Sequence, residues 1–319
     1  MLEFWHYEFM QRALIAALLV GLCAPVVGTF LVQRQLSLIG DGIGHVALTG
    51  VGIGVLTGVA PVWTALAAAV VGAAAVELVR ARGRTSGDVA LAVMFYGGLA
   101  GGAVLISLSP NASAGGLDRY LFGAIGEVST SDLVTFAVLA GAVLVVVLAL
   151  TPRLFAASND EEYARAVGMN VVGYNLLIAV LTAVTVVVSM RIVGLLLISA
   201  LMIIPNAVAL LVARSFAATA ALAVVIGVIS GLGGTVASFY ANTPSGGTIV
   251  LLAIGIFLAA AVGASIRDAV HRRRHPTAEV HEHEHGPHCG HEEVPHEGHV
   301  DYVHAGHLHA PHGEHYDEH

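Results

Sequence analysis

The feature that most constrains this chain is a succession of long apolar runs. Each of nine segments is about 20 residues long, the length that carries a helix across the hydrocarbon core of a membrane. No long segment alternates polar and apolar residues as the strands of a membrane barrel do. The sequence therefore predicts an all-α, polytopic membrane helix bundle. The nine segments lie near residues 13–32, 36–57, 61–79, 88–109, 132–151, 172–189, 192–213, 216–240 and 247–266.

Eight helices are an alternative count, because two pairs of segments are separated by very short interruptions. Only Met190 and Arg191 interrupt residues 172–213, and only NTPSGG interrupts residues 216–266. Composition supports a membrane protein with either count, since 11% of the residues are charged against about 25% in soluble domains. All fourteen basic residues are arginine. The absence of lysine excludes a P-loop ATPase, whose phosphate grip requires one.

The arginines predict the orientation, because short cytoplasmic loops are enriched in basic residues. With nine helices, RARGR at 80–84, the segment 152–170, Arg214 and HRRRH at 271–275 fall on one side. The loops near 110–131 and 241–246 fall on the other side. We therefore expect a multi-pass protein of the cell membrane with its C-terminal tail in the cytoplasm. An eight-helix count would move one terminus to the opposite side.

The stretch GDGIGH at 40–45 places an acid and an imidazole inside the second apolar segment. Asp41 and His45 are four positions apart, so on a helix they share a face. A charged group in the membrane costs about 2.5–3.5 kcal/mol at the helix centre by insertion scales, and such groups mark ion or proton paths. Oxygen and nitrogen ligands suit zinc and also manganese. The alternative is an Asp–His hydrogen bond that only joins two helices.

The C-terminal tail is the second feature that indicates metal chemistry. Fifteen of the seventeen histidines lie between His271 and His319, interleaved with glutamates. Without the spacing of a zinc finger, these ligands predict a disordered chelator with many sites. We divide the chain into a membrane domain, 1–270, and a tail, 271–319, that buffers metal or senses it. The candidate ligands of the tail are His281, His283, His285, His288, Cys289, His291, His296, His299, His304, His307, His309, His312 and His315.

The order of several motifs resembles the zinc/manganese-type ABC transporter permeases, the membrane subunits of high-affinity zinc uptake systems. The resemblance covers about residues 10–265. It is carried by LSLIGDGIGHVALTGVGIG at 36–54, GDVALAVMFYGGLAGGAVLIS at 87–107, YLFGAIGEVSTSDL at 120–133, NDEEYARAVGMNV at 159–171, VGLLLISALMIIPNAVALL at 193–211 and TPSGGTIVL at 243–251.

The resemblance implies a role for each motif. Asp41 and His45 match the acid and histidine that contact the metal during its passage, although Gly42-Ile43-Gly44 stands where many relatives have an alanine-serine pair. NDEEYARAVGMNV resembles the helix that couples the permease to its ATPase, and its capping and acidic first turn agree with a helix there. The positions implied in coupling are Asp160, Glu161, Glu162, Ala166 and Gly168.

The function implied is import of a divalent transition metal, most of all Zn²⁺, with Mn²⁺ as the alternative ion. Two copies would form a homodimer in the lipid bilayer, served by separate ATPase subunits and by an extracytoplasmic metal-binding protein. The chain itself would be no enzyme, and neither a cofactor nor a nucleic acid is expected. The rival interpretation is a stand-alone secondary metal transporter or exporter with a metal-binding tail. Such proteins usually carry acid and histidine pairs on two or more helices.

Overall fold

A computed structural model describes residues 7–81, 87–109, 120–123, 126, 128–190, 193–274, 290–296, 299–304, 307–312 and 315–318. Contacts divide the chain into two compact units, Met1–Leu258 and Ala259–His319, and each is described by itself. The helices are α1 Glu8–Gln33, α2 Ile39–Thr57, α3 Pro61–Ala81, α4 Gly87–Ser107, α5 Thr130–Asn159, α6 Glu161–Ala166, α7 Val171–Met190, α8 Leu195–Val212, α9 Phe216–Ala241 and α10 Ser245–Arg274.

The predicted helix bundle is confirmed. Among the described residues, eight helices are long and apolar enough, by length and composition, to cross a membrane. The two interruptions that left the count open both separate helices: α7 ends at Met190 before α8 begins at Leu195, and α9 ends at Ala241 before α10 begins at Ser245. Helix α8 is the shortest of the apolar helices, with 18 residues, which correspond to a length of about 27 Å at 1.5 Å per residue.

Local sequence explains where several helices begin and end. Helix α5 begins with a capping box, in which the Ser129 hydroxyl accepts from the Asp132 N–H at 3.1 Å and the Ser129 N–H donates to the Asp132 carboxylate at 3.2 Å. Ser215 caps α9 by accepting from the Ala218 N–H. Gly58 ends α2 in the left-handed region, at φ +75°, which glycine adopts without a steric penalty. These caps fix the register of each helix against its neighbours.

Small residues let the helices around α2 approach one another closely, as expected for membrane helices. At Gly50 of α2, an added Cβ would lie 2.5 Å from the Thr64 carbonyl oxygen of α3. At Gly98 of α4, it would lie 2.5 Å from the His45 carbonyl carbon. The Thr49 hydroxyl also donates to the Gly98 carbonyl at 2.7 Å. Helix α2 is therefore held tightly between α3 and α4.

Asn206 joins two proline-containing helices, α1 and α8. Its side-chain amide donates to the Pro25 carbonyl at 3.0 Å and to the Met202 carbonyl at 2.8 Å, and its oxygen accepts from Thr29 at 2.8 Å. Helix α8 continues through Pro205. The sequence allows two interpretations of Pro205: a simple kink in the helix, or a break in the helix that lines a cavity. The continuous helix and the bonded amide agree with the kink.

The second unit contains a sheet where the sequence predicts disorder. Four antiparallel strands, β1 Glu293–His296, β2 His299–His304, β3 His307–His312 and β4 His315–Glu318, follow one another in the order β1-β2-β3-β4. Composition alone pointed to disorder because polar residues dominate the segment. The physical reason for the difference is that β1, β2 and β4 contain β-branched and aromatic residues, which favour strands; these are Val294, Val300, Tyr302, Val303 and Tyr316.

Candidate functional site

Asp41 lies in the first turn of α2 and accepts a hydrogen bond from a helix that is distant in the sequence. The Ser199 hydroxyl of α8 donates to Asp41 Oδ1 at 2.5 Å. A hydroxyl donor stabilises the ionised carboxylate while the other carboxylate oxygen stays available as a ligand. Sequence analysis missed Ser199 because it is 158 residues away along the chain. Only the resemblance, which includes the segment 193–211, pointed to this helix.

His45 lies one turn further along α2 and is 2% exposed. Its ring meets the edge of the Phe95 ring, with centroids 4.1 Å apart and an interplanar angle of 63°. Within the described residues, His45 Nδ1 has no hydrogen-bond partner, and no hydrogen bond joins His45 to Asp41. The simple Asp–His hydrogen bond that the sequence left open is thus not found in the described part of the chain. A buried nitrogen of this kind is chemically able to bind a cation.

A cavity opens beside Asp41. Its volume is about 290 Å³, and it is lined by Leu38, Asp41, Gly42, Leu91, Ala92, Phe95 and Tyr96. Apart from the Asp41 carboxylate and the Tyr96 hydroxyl, the lining is apolar, and it comes from α2, the residue before it and α4. Searched over the described residues alone, no cluster of three or more His, Cys, Asp or Glu side chains suited to a metal ion occurs. His45, one turn further along α2, is not among the lining residues.

The five predicted coupling residues lie on or beside α6. Asp160 caps the helix by accepting from the Tyr163 N–H at 2.8 Å, and Gly168 ends the segment in the left-handed region, at φ +82°. Glu162, Ala166 and Gly168 are exposed. Glu161 differs from the others because it turns toward the bundle.

Glu161 is the centre of a charged cluster that connects four helical segments. Its Oε1 accepts from Arg80 at 3.2 Å and from Asn175 at 3.0 Å, and lies 3.5 Å from Arg34. Its Oε2 accepts from Arg165 at 3.0 Å. Burial favours protonation of Glu161, but the Asn175 hydrogen bond and the Arg80 and Arg34 charges outweigh it, so its pKa lies below the ordinary value.

The buried part of this cluster was not predicted from the sequence. Arg34 and Glu77 form an ion pair at 3.4 Å, with side chains 3% and 2% exposed, and Arg80 reaches the same Glu77 oxygen at 3.0 Å. Burial lowers the pKa of Arg34, and the Arg80 charge lowers it further. The cluster ties α6 to the ends of α1 and α3 and to the start of α7.

The candidate ligands of the tail divide into two groups. His281, His283, His285, His288 and Cys289 lie outside the described residues. His291 precedes β1, and the remaining histidines lie on the strands: His296, His299, His304, His307, His309, His312 and His315.

Known proteins resemble the whole membrane part of the chain. A family model described as the ABC 3 transport family matches residues 6–264. The manganese transport system membrane protein MntC of Halalkalibacterium halodurans is 33% identical over 254 residues, covering 79% of this chain and 86% of that protein. The chelated iron transport system membrane protein YfeD of Yersinia pestis is 29% identical over 278 residues, covering 87% and 93%.

A solved structure has the same fold. PsaBC from Streptococcus pneumoniae, determined in complex with a Fab, aligns with a TM-score of 0.74 and 31% sequence identity. The alignment covers 80% of this chain and 92% of that chain. The family match reaches from the start of α1 into α10.

Proposed function

This chain belongs to the ABC 3 transport family, and from that premise we propose that it carries zinc into the cell. It is a multi-pass membrane permease of a metal ABC transporter, and it is not itself an enzyme. Zinc is our choice among the metals because one carboxylate and one imidazole suit this borderline ion. The named relatives transport manganese and chelated iron, so manganese is the second candidate.

The observation that carries the proposal is that Asp41 lines a cavity of about 290 Å³ between α2 and α4, with the buried His45 one turn further along α2. Ser199 holds one carboxylate oxygen, which leaves the second oxygen for an ion. An ion that passes the cavity would meet one oxygen and one nitrogen ligand and keep water in its other positions. We propose that this pair gates passage of the metal, because such a site binds too weakly for storage.

Helix α6 is the proposed contact with the ATPase. Tyr163 and Val167 are 62% and 54% exposed, so α6 and the residue after it present apolar surface to a partner. A cavity of about 640 Å³ lies beside the segment that connects α6 to α7, and it is lined by Arg153, Gly168, Met169, Asn170, Gly173, Tyr174 and Leu177. An element of the ATPase seated here would act on α6, and the charged cluster would transmit the force to α1, α3 and α7.

The remaining partners follow the same proposal. We expect a homodimer that encloses the pathway, two ATPase subunits on the arginine-rich side, and a metal-binding protein on the opposite side. That orientation puts the C-terminal tail in the cytoplasm. The rival function, a secondary transporter or exporter, is disfavoured because His45 is the single histidine within the apolar segments, so the sequence offers no second acid and histidine pair inside the membrane.

Uptake into proteoliposomes that contain the permease and its ATPase tests the proposal. Asp41→Ala and His45→Ala should each abolish ATP-dependent zinc uptake. Gly42→Ala is the matched control, because it lies between them at the same cavity and its added Cβ would make an ordinary contact of 3.5 Å with Leu91. Normal uptake by both ligand variants would refute the gate. Zinc flux without any ATPase would refute the importer in favour of the rival.

A further inference from the structure

Asp41 and His45 share a face of α2, but the two side chains differ in their access to the cavity between α2 and α4. Asp41 lines that cavity, and His45 is not among its lining residues. His45 is buried, and the described residues provide no hydrogen-bond partner for its Nδ1. In this arrangement an ion in the cavity would meet the carboxylate without reaching the imidazole.

Phe95 of α4 is the residue that contacts both the cavity and His45. Its ring centroid lies 4.1 Å from that of His45, and the same residue lines the cavity. The Phe95 ring also meets the ring of Tyr96, another lining residue, with centroids 5.3 Å apart. Phe95 therefore separates the imidazole from the space beside Asp41.

The backbone near Phe95 is held against α2. Gly98 follows Phe95 by one helical turn, and a Cβ added there would lie 2.5 Å from the His45 carbonyl carbon. The Thr49 hydroxyl also donates to the Gly98 carbonyl at 2.7 Å. Because these contacts fix α4 at the height of the imidazole, a change in access to His45 depends on the Phe95 side chain rather than on separation of the two helices.

The Phe95 side chain has a second position available to it. Aromatic side chains in helices adopt χ1 near 180° or near −60°, so a turn of about 120° moves the ring from one position to the other. The ring borders the cavity, and the cavity provides space for this turn. One position covers His45, and the other exposes it.

We propose that Phe95 is a positioning residue that controls when His45 joins Asp41 as a ligand of the transported metal. While the ring covers the imidazole, an entering ion is bound by the carboxylate alone. When the ring turns away, the imidazole supplies the second ligand. The inference rests on the proposed function, because it concerns the same metal site, and it adds the step that makes the second ligand available.

This order of binding discriminates between classes of ion. Carboxylate and water suit magnesium and calcium, whereas imidazole suits zinc and other transition metals. Displacing the Phe95 ring loses its contact with His45 whichever ion has entered. Only an ion that gains from a nitrogen ligand recovers that loss, so the ring favours zinc over magnesium at the second step.

Chemical modification of His45 tests the proposal without relying on transport. Diethyl pyrocarbonate reacts with accessible imidazoles, and mass spectrometry of the peptide that contains His45 separates this residue from the histidines of the tail. In the full-length protein purified with its ATPase, Phe95→Ala should accelerate modification of His45 by about 2–13-fold. That factor corresponds to the loss of one contact between aromatic rings.

The same readout reports metal binding at this one histidine. Zinc should slow the modification of His45, and Phe95→Ala should need about 2–13-fold less zinc for half-protection than the unaltered chain. The reason is that a larger fraction of the sites is then competent to bind with both ligands. Magnesium at the same concentrations should give no protection.

Leu91→Ala is the matched control. Leu91 lines the same cavity one turn before Phe95, but it lies beside Gly42, where an added Cβ would be 3.5 Å from it. The rate of His45 modification should therefore stay unchanged. Phe95→Leu is a second variant, which keeps an apolar side chain against α2 without the ring. It should also accelerate the modification, and it serves as the test if Phe95→Ala does not fold.

The possible outcomes separate this inference from the proposed function. Equal modification rates of His45 in the unaltered chain and the Phe95 variants would overturn the proposal, and so would an equal acceleration in Leu91→Ala. Faster modification in the Phe95 variants that zinc does not slow would instead refute the metal site of the proposed function, while supporting the cover over His45.

Discussion

Glu161→Gln is the substitution that most directly tests whether the charged cluster holds α6 against the bundle. The amide keeps the shape of the side chain and one acceptor oxygen, but it removes the negative charge. That charge faces Arg34 at 3.5 Å, Arg80 at 3.2 Å and Arg165 at 3.0 Å. The variant leaves Glu77 as the single carboxylate for two of these arginines.

The expected cost follows from the contacts. Charge-assisted hydrogen bonds are roughly twice as strong as neutral ones, so Arg34 and Arg80 each lose about 1 kcal/mol. The lost contact with Arg165, which is 60% exposed, adds little because exposed ion pairs contribute about 0–1 kcal/mol. Docking of α6 should therefore weaken by about 2 kcal/mol, a factor of about 30 in the ratio of docked to detached helix.

Two measurements report the weaker docking of α6. Hydrogen exchange of the α6 amides should accelerate by up to that factor, and the number of metal ions imported per ATP hydrolysed should fall while hydrolysis continues. Glu162→Gln is the matched control, since it removes the same charge from the same turn at an exposed position. Unchanged hydrogen exchange in Glu161→Gln, or an equal acceleration of exchange in Glu162→Gln, would refute the assignment of docking to this cluster.

Two further results are expected. Gly98→Ala should lower the free energy of unfolding by about 1–3 kcal/mol, because the new Cβ would lie 2.5 Å from the His45 carbonyl carbon. Gly97→Ala is the control, since its new Cβ would meet nothing within 4 Å. Equal thermal stability of the two variants would contradict the close approach of α2 and α4. Acid should detach α6 from the bundle. Folding lowers the pKa of Glu161, so the stabilising contribution of its carboxylate is complete above the ordinary pKa of a glutamate. That contribution is lost as the pH falls through the lower pKa of the folded state. Proteolysis of α6 that does not increase on acidification would contradict this.

Much of the bundle was predictable, because spanning helices are specified by local composition. The same holds for α6, whose cap and acidic first turn lie within a few residues of one another. The pair of Asp41 and His45 was found for the same reason, since a helical turn relates them. What they contact was not predictable, because Ser199 reaches Asp41 across 158 residues.

The charged cluster and the tail sheet were missed for different physical reasons. Arg34 and Glu77 read as ordinary charges at helix ends, and their pairing depends on how α1 and α3 pack, which local periodicity does not specify. The tail was judged by its overall polarity, and that obscured its order. The signal was present in the sequence as three HxxH groups spaced by eight residues, the length of one strand and one two-residue connection.

That spacing has a consequence for how the tail can change over time. The paired histidine positions recur every eight residues along the chain. An in-frame duplication or loss of eight residues therefore preserves every remaining pairing. Each such event would add or remove one strand at the edge of the sheet without disturbing α10 or the bundle. The number of strands and of paired histidine positions can therefore change in discrete steps, independently of the transport path.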